Sequence, residues 1–335
     1  RCAIKSRGLG DVYKRQLLER QDFGSQTSYN SLRIIHGGLR YLQTADLPRF
    51  FDSVAERRWL FRHMPDLLMP LRCLMPLYGD GLRRPVVMRV ALGMNDVLSW
   101  RRNEGVRGDR RLLDSQVVNA GAVRNLWDGV PTEGLAGGAV WYDACVPDSQ
   151  HLIVELLGWA CEHGAVALNY TEARIDGGGT GTSRLVARDL QSGTDMDVEA
   201  SVIIGATGPW QWQNPAIVSG DGHEHFSIAW NMLIDRPSPT DLALAITPPG
   251  PDGQTYFLHP WKGRVLIGTG HAPWSSDPAD VKPSEKQLAD MLEDVNRGAP
   301  SLRLRVEDIQ RVYAGLLPAK RAGSAALSVR SVIQE

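Results

Sequence analysis

Apolar side chains in residues 47–64 return at Leu47, Phe50, Phe51, Val54, Leu60 and Phe61. That spacing is close to 3.6 and predicts a helix with one buried face. The same period recurs over residues 149–163, where Leu152, Ile153, Leu156, Leu157 and Ala160 share a face. Gly164 follows where a helix commonly stops, and residues 165–170 read as a strand, giving one helix–strand unit of an α/β layer. Residues 184–190 and 195–198 flank the turn Gln191-Ser192-Gly193-Thr194 and predict a hairpin. The run Val202-Ile203-Ile204-Gly205-Ala206 has no polar alternation, which predicts a parallel strand buried on both faces. Beyond His225 the pattern predicts strands at 226–234, 242–246, 256–259 and 264–269, a mostly antiparallel sheet. A last helix is predicted over 283–297, capped by Ser284.

Composition narrows the picture. With 335 residues, 43% hydrophobic and 22% charged, the chain has material for a sizeable core, in two ordinary domains or one large interleaved one. A net charge of -1 argues against nucleic acid as a partner, since phosphate neutralisation needs a basic excess. Cys2, Cys73, Cys145 and Cys161 form no CxxC pair, which fits a reducing cytoplasm better than a disulfide scaffold or zinc site. His223 and His225 lack a third ligand at suitable spacing, so no metal is expected. No apolar run reaches the roughly 20 residues of a membrane helix; peripheral contact at the inner face of a membrane stays compatible with the sequence. Residues 1–16, basic and aperiodic, are expected to be a non-native leader.

Candidate chemistry sits in three places. Glu19 ends the apolar LLER stretch, and an acid at a strand end of a dinucleotide-binding fold accepts hydrogen bonds from a ribose. The GxGxxG turn that should precede it by about 20 residues is absent, for Gly8-Leu9-Gly10 runs into Asp11-Val12-Tyr13. Read by itself, Glu19 is a surface residue. Residues 22–42, DFGSQTSYNSLRIIHGGLRYL, open with Ser25, Thr27, Ser28 and Ser31, whose hydroxyls suit a pyrophosphate. They close with Gly37 and Gly38, which let backbone approach a flat ring where a Cβ would block it; an ordinary polar loop before a helix is the plain alternative. Residues 205–210, GATGPW, form a small-residue turn after the apolar run, where open α/β sheets receive ligands. Trp210, Trp212 and Trp261 read as core or pocket walls. Asp143 reads as a turn residue and Asp148 as a helix cap.

In this order, LLERQDF, SLRIIHGGLRYL, WYDACVPDSQHLIVELLGWACEHGAVALNYTEA, GATGPW, RVLIGTGHAPWSSDPADVKPSEKQLADMLEDVN and RVYAGLLP resemble the FAD-dependent glycerol-3-phosphate dehydrogenase family, among the D-amino-acid-oxidase-like flavoenzymes. The resemblance covers the chain from about Leu17 onward. It implies an α/β fold, an FAD-binding Rossmann-like domain (17–45 and 140–220) interleaved with an antiparallel-sheet substrate domain (221–310). A helical part (46–139) and a return to the FAD domain (311–335) complete it, with the GxGxxG unit and a C-terminal part expected to be missing. It further implies Glu19 on the adenosine ribose; Thr27, Ser28 and Ser31 along the diphosphate; His36, Gly37 and Gly38 at the isoalloxazine; a backbone contact of Ala173 to the adenine; and Ala206, Thr207 and Gly208 closing over the cofactor. Arg40 and Tyr41, with Arg330 on a looser match, would hold a small anionic substrate.

The implied reaction is hydride transfer from a carbinol carbon to flavin, with His36 a candidate base and quinone or oxygen as electron acceptor. Leu317 stands where the family has an arginine, and Gly270-His271 where it has Thr-Asp, so an expected anion contact is gone. An amine or amino-acid oxidase of the same fold, with Arg40 on a carboxylate, is the enzymatic alternative. A non-catalytic or inert truncated relative is the other.

Overall fold

The longest apolar stretches of the chain become strands of one mixed sheet. The computed structural model describes residues 15–42, 44–79, 81–178, 183–208, 225–250, 253–277 and 280–328. Its strands in chain order are β1 (Arg15–Leu18), β2 (Ile34–Ile35), β3 (Met69–Leu77), β4 (Gln116–Val118), β5 (Gly137–Cys145), β6 (Ala165–Leu168), β7 (Thr171–Gly178), β8 (Ser183–Asp189), β9 (Asp195–Ala200), β10 (Phe226–Ile234), β11 (Ala243–Ile246), β12 (Tyr256–Trp261), β13 (Arg264–Trp274) and β14 (Ile309–Pro318). The helices are α1 (Leu39–Leu42), α2 (Leu47–His63), α3 (Pro85–Leu98), α4 (Ala120–Leu126), α5 (Ser149–Glu162) and α6 (Glu285–Gly298).

Nine strands run in the order β14-β10-β13-β12-β11-β3-β5-β2, with β4 also on β5. Every pairing is antiparallel except β11 with β3. A second layer pairs β1 with β6 in parallel, Arg15 opposite Ala165 and Leu18 opposite Leu168. A third sheet is the meander β7-β8-β9. The parallel layer and the large sheet alternate along the chain, which is the interleaved α/β architecture the sequence implies.

Side chains alternate across the large sheet, so each strand feeds two cores. Ile228, Trp230, Met232 and Ile234 of β10, with Ile267 of β13 and Leu244 of β11, pack with Met291, Leu292 and Val295 of α6 and Val123 of α4. Helix α6 is begun by a capping box: the Ser284 hydroxyl accepts from the Gln287 amide while the Gln287 side chain accepts from the Ser284 amide. The opposite face carries Cys73, Trp141, Cys145 and Ala245, packed with Leu92 of α3, and Leu233, Leu266 and Trp261, packed with Tyr29 and Leu32. That second face underlies the candidate site.

Four expectations change. The run 202–206 is not a strand, and Val202 is 74% exposed. A uniformly apolar strand needs ladder partners and cover on both faces; among the described residues the parallel layer holds only β1 and β6. The stretch 46–139, expected as helical, contains α2, α3 and α4 but also contributes β3 and β4 to the large sheet. Strand β14 pairs with β10 along its length, so the chain after Ile309 first completes the large sheet. Arg15 and Gln16, placed in the expected leader, pair within β1; residues 1–14 lie outside the described residues.

Candidate functional site

Residues 19–42 leave β1, cross the second face of the large sheet and return through α1. Local chemistry fixes both ends of this crossing. Glu19 sits at the carboxyl end of β1, its amide donating to Leu168 O (2.8 Å) and its carbonyl accepting from Thr171 N (2.8 Å). The Glu19 carboxylate accepts from the Gln21 amide at 2.9 Å, and Tyr170 donates to Asp22 at 2.6 Å. Ala173 follows in β7 two residues after Thr171, so the residues expected near an adenosine lie on neighbouring segments.

The hydroxyl-rich turn is clamped to three elements. Thr27 abuts Gly315 of β14, where an added Cβ would lie 3.1 Å from its hydroxyl. Asn231 of β10 donates to Asn30 O at 3.2 Å. Ser149, first residue of α5, donates to Ser28 O at 3.0 Å and accepts from the Arg33 guanidinium, while Ser31 accepts from the Arg33 amide at 3.4 Å. The Ser28 hydroxyl is buried with no hydrogen-bond partner among the described residues. Arg33 lies 3% exposed among the rings of Tyr29, Trp261 and Tyr313, at 4.6, 5.5 and 5.6 Å, and its Nε is also unpartnered. Burial pushes its pKa down, against the nearby phenols and Asp148. Asp148 caps α5, accepting from the Gln150 and His151 amides, as the sequence suggested.

The centre of the site is Asp143, which is no turn residue. It lies within β5, 3% exposed, and its two oxygens take four donors. Oδ1 accepts from Gly37 N (2.7 Å) and Arg57 (2.6 Å); Oδ2 accepts from the Trp141 indole (3.2 Å) and faces His36 Nδ1 (3.0 Å). Burial pushes the carboxyl pKa up, but the His36 bond, the Arg57 charge and the Gly37 amide outweigh it and hold it down at about 2. An ionised carboxylate only accepts, so Nδ1 of His36 donates in this contact and Nε2 is the nitrogen left on the far side of the ring. The His36 side chain is 38% exposed and that of Asp143 4%, so the histidine is reachable and the carboxylate behind it is not. Phe257 of β12 packs against the imidazole, centroids 5.3 Å apart.

The paired glycines belong to this arrangement. A Cβ on Gly37 would fall 2.1 Å from the Arg57 guanidinium, and one on Gly38, at φ +92°, 3.1 Å from the Phe50 backbone. Close packing of α2 against the loop therefore accounts for both. Arg57 reaches its carboxylate from α2 and also donates to Tyr142 O at 2.9 Å.

Arg40 and Tyr41 follow in α1. Arg40 is exposed and lies over the Tyr41 ring at 5.8 Å; Arg49 of α2 approaches the same ring at 5.9 Å. On β13, His271 has its pKa lowered by burial and then by the Arg40 charge, and its Nδ1 is buried without a partner among the described residues. The structure thus brings His36, Gly37, Gly38, Arg40 and Tyr41 together, with Thr27, Ser28 and Ser31 along one approach and Glu19 and Ala173 beyond. Ala206, Thr207 and Gly208 end the apolar run half-buried or exposed, with no hydrogen bond to this group among the described residues. Arg330, Trp210, Trp212 and His223 lie outside the described residues.

Sequence reasoning missed Asp143, Arg57, Arg33 and His271. An acid inside the otherwise apolar GGAVWYDAC was a usable signal, because a buried carboxylate must be paired. So was His271, at a departure from the family pattern. The residues present fit a long, polar-edged cofactor such as FAD: Ser28 and Arg33 within the crossing, and His271 on β13, carry buried polar atoms without a hydrogen-bond partner among the described residues, and an acid closes a parallel strand as a ribose contact requires.

Comparison with known proteins agrees. The chain is 28% identical over 332 residues to a glycerol-3-phosphate dehydrogenase of Synechocystis sp., covering 93% of this chain and 58% of that protein. It is 27% identical over 325 residues to an alpha-glycerophosphate oxidase of Streptococcus pneumoniae, covering 92% and 51%. The chain therefore spans between half and three-fifths of these relatives' length. The fold matches the glycerol-3-phosphate dehydrogenase from Bacillus halodurans, solved with FAD, with a TM-score of 0.69 and 22% identity over 91% of this chain and 52% of that one. Residues 8–331 match the FAD dependent oxidoreductase family, and the chain belongs to it.

Proposed function

We propose that this chain carries the substrate-oxidising part of an FAD-dependent dehydrogenase acting on a small, anionic, hydroxylated metabolite of the glycerol 3-phosphate type. The observation that carries the reading is the His36–Asp143 pair at 3.0 Å. It leaves a partly exposed imidazole nitrogen in the loop that leads into α1, which carries Arg40. A base oriented by a buried carboxylate is the arrangement that removes a hydroxyl proton. Bound FAD supplies the hydride acceptor.

The remaining work falls to side chains of this chain. Arg40 anchors an anionic substrate group through its forked guanidinium, and Tyr41 offers a phenol beside it. His36 Nε2 takes the hydroxyl proton. Asp143 holds the tautomer and steadies the imidazolium that forms. Glu19, Ser28 and Ser31 are assigned to the ribose and diphosphate of the cofactor. His271 stands near Arg40 and replaces polar contacts of the related pattern, so a substrate differing from glycerol 3-phosphate at its anionic end fits this reading.

The test is anaerobic bleaching of the FAD-loaded protein by glycerol 3-phosphate, other phosphorylated polyols and amino acids. Bleaching by a phosphorylated polyol is expected, with Arg40→Ala raising the half-saturating concentration ~10-fold or more at unchanged flavin content. Bleaching by amino acids alone, or an unchanged requirement in Arg40→Ala, overturns the proposal. Reoxidation of the bleached protein by a soluble quinone or by air then assigns the electron acceptor.

A further inference from the structure

Two departures from the related sequence pattern meet on one patch of the large sheet. Strand β10 lies between β13 and β14. One row across these strands is Leu317, Ser227 and Pro273; the next row on the same face is Gly315, Ala229 and His271. Thr27 of the site loop abuts Gly315, so both rows lie on the face that carries the site. A cation of the related pattern is missing at Leu317, and a base replaces an acid at His271, one row away. Of the six side-chain positions, His271 alone has an uncommitted polar atom. Leu317, Pro273, Gly315 and Ala229 have no side-chain donor, and the buried Ser227 hydroxyl donates to Ala272 O at 3.0 Å. The Nδ1 of His271 has no partner among the described residues.

Charge decides what such a ring can do. From α1, the charged and titratable groups are Arg40 and Tyr41, and the Arg40 charge acts on His271. The other guanidinium beside the Tyr41 ring, Arg49 of α2, is paired with Asp46 at 3.4 Å. The residues of β10 and β14 in these two rows carry no titratable group. Near neutral pH a phosphate monoester bears close to two negative charges, and Arg40 meets one of them. Burial and the Arg40 charge favour the neutral imidazole. A dianion beside the ring acts with the opposite sign and favours the charged form.

We infer that His271 is a second contact for the anionic group of the substrate, standing in for the cation missing at Leu317 and taking a proton from solvent as a doubly charged group binds. The assignment rests on the proposed function, in which Arg40 holds that group. It adds a coupling between substrate charge and pH that a pocket built from guanidinium groups alone would lack, because arginine keeps its proton throughout the neutral range and histidine does not.

The probe is inorganic sulfate, a dianion across the neutral range, titrated calorimetrically into the FAD-loaded chain in buffers of different protonation enthalpy. Binding that takes up protons, and that tightens between about pH 8 and about pH 6, is expected, with Arg40→Ala weakening it. His271→Gln keeps a hydrogen-bond donor that cannot titrate. At unchanged flavin content it should bind sulfate ~10-fold more weakly at the acid end, nearly as the parent does at the alkaline end, and without the proton uptake. Adding Leu317→Arg to His271→Gln should restore binding at both ends. No sulfate binding, no proton uptake in the parent, equal weakening at both ends, or failure of Leu317→Arg to restore binding overturns the inference. Bleaching by a phosphorylated polyol without these sulfate effects removes the role of His271 alone. The sulfate effects without bleaching remove the oxidation and leave the anion contact in place.

Discussion

Strand β5 and the β1–α5–β6 layer draw on similar apolar sequence and end in opposite states. Eight of the nine residues of β5 are buried, and the one carboxylate among them, Asp143, has four donors. In the parallel layer, α5 has no buried residue, and Val154, Val166 and Leu168 stand 52, 41 and 38% exposed. The difference is one of neighbours. β5 has strands on both edges and helices against its face; among the described residues, β1 and β6 have each other, and α5 on one side. Burial is a property of the assembly, so the same kind of apolar run is costly to disturb in one region and cheap in the other.

The largest effect should come from breaking the satisfied network. Asp143→Asn leaves the Arg57 guanidinium, with 5% side-chain exposure, buried without its counter-charge. Loss of ~3–5 kcal/mol of stability is expected, read as a fall in the urea midpoint. A midpoint equal to that of the parent would mean that water or another group already serves Arg57. The same variant should also change acid sensitivity. The Asp143 pKa is depressed in the folded state, so its contribution is complete above the ordinary value of 3.8 and drains away as pH falls toward about 2. Asp143→Asn should lack that acid limb.

A second titration belongs to the same face. His259 is 1% exposed, its Nε2 lies 3.3 Å from Cys145 Sγ, and burial lowers its pKa to about 4. Burial likewise raises the Cys145 thiol to about 12, despite Arg33, so the thiol keeps its proton. A histidine whose folded pKa lies below its ordinary 6.5 stabilises fully above 6.5, and the benefit disappears as pH falls to about 4. Stability measured across that interval should drop by ~3 kcal/mol more in the parent than in His259→Phe, which keeps only the contribution of His271, lowered by burial in the same direction. Parallel slopes would show that the imidazole is not buried as described. The two windows adjoin without overlapping, which separates the carboxylate from the imidazole experimentally.

Next in size is Gly37→Ala. Its Cβ would meet the Arg57 guanidinium at 2.1 Å, so Arg57 must shift off Asp143 or the loop must lift. A loss of ~1–3 kcal/mol is expected. If Gly37 serves only the approach of a flavin ring, the variant should instead lose flavin affinity at unchanged apo-protein stability. The two readouts divide a packing role from a binding role.

What was legible in the sequence follows the same divide. Helices α2, α5 and α6 and the strands from β10 to β13 were readable because each has a strong local period. Strands β3 and β5 were not, since MPLRCLMPL and GGAVWYDAC have proline, glycine and charge where a pattern should be. Their pairing, Met69 opposite Cys145 through Leu77 opposite Gly137, is set by long-range register. Gly37 and Gly38 were singled out by their local chemistry and the roles of His36 and Arg40 by motif resemblance, whereas Asp143 was read as a turn residue. Its role depends on Arg57 and His36, 86 and 107 positions away, and no local period reports such a meeting. The 202–206 run failed in the other direction: its composition describes a buried strand that its surroundings do not complete.

The smallest effect tests that last statement directly. Val202 is 74% exposed, so Val202→Ser removes almost no buried apolar area, and a stability change within ~0.5 kcal/mol is expected. The same exchange at Val140 of β5, 0% exposed, removes methyl groups from a filled core and adds a hydroxyl needing a partner. It should cost ~2–4 kcal/mol. The ratio matters more than either value, because both sites carry valine in an apolar run and differ only in what surrounds them. If Val202→Ser approached the cost of Val140→Ser, the parallel layer would have to be covered in solution, and its contrast with β5 would vanish.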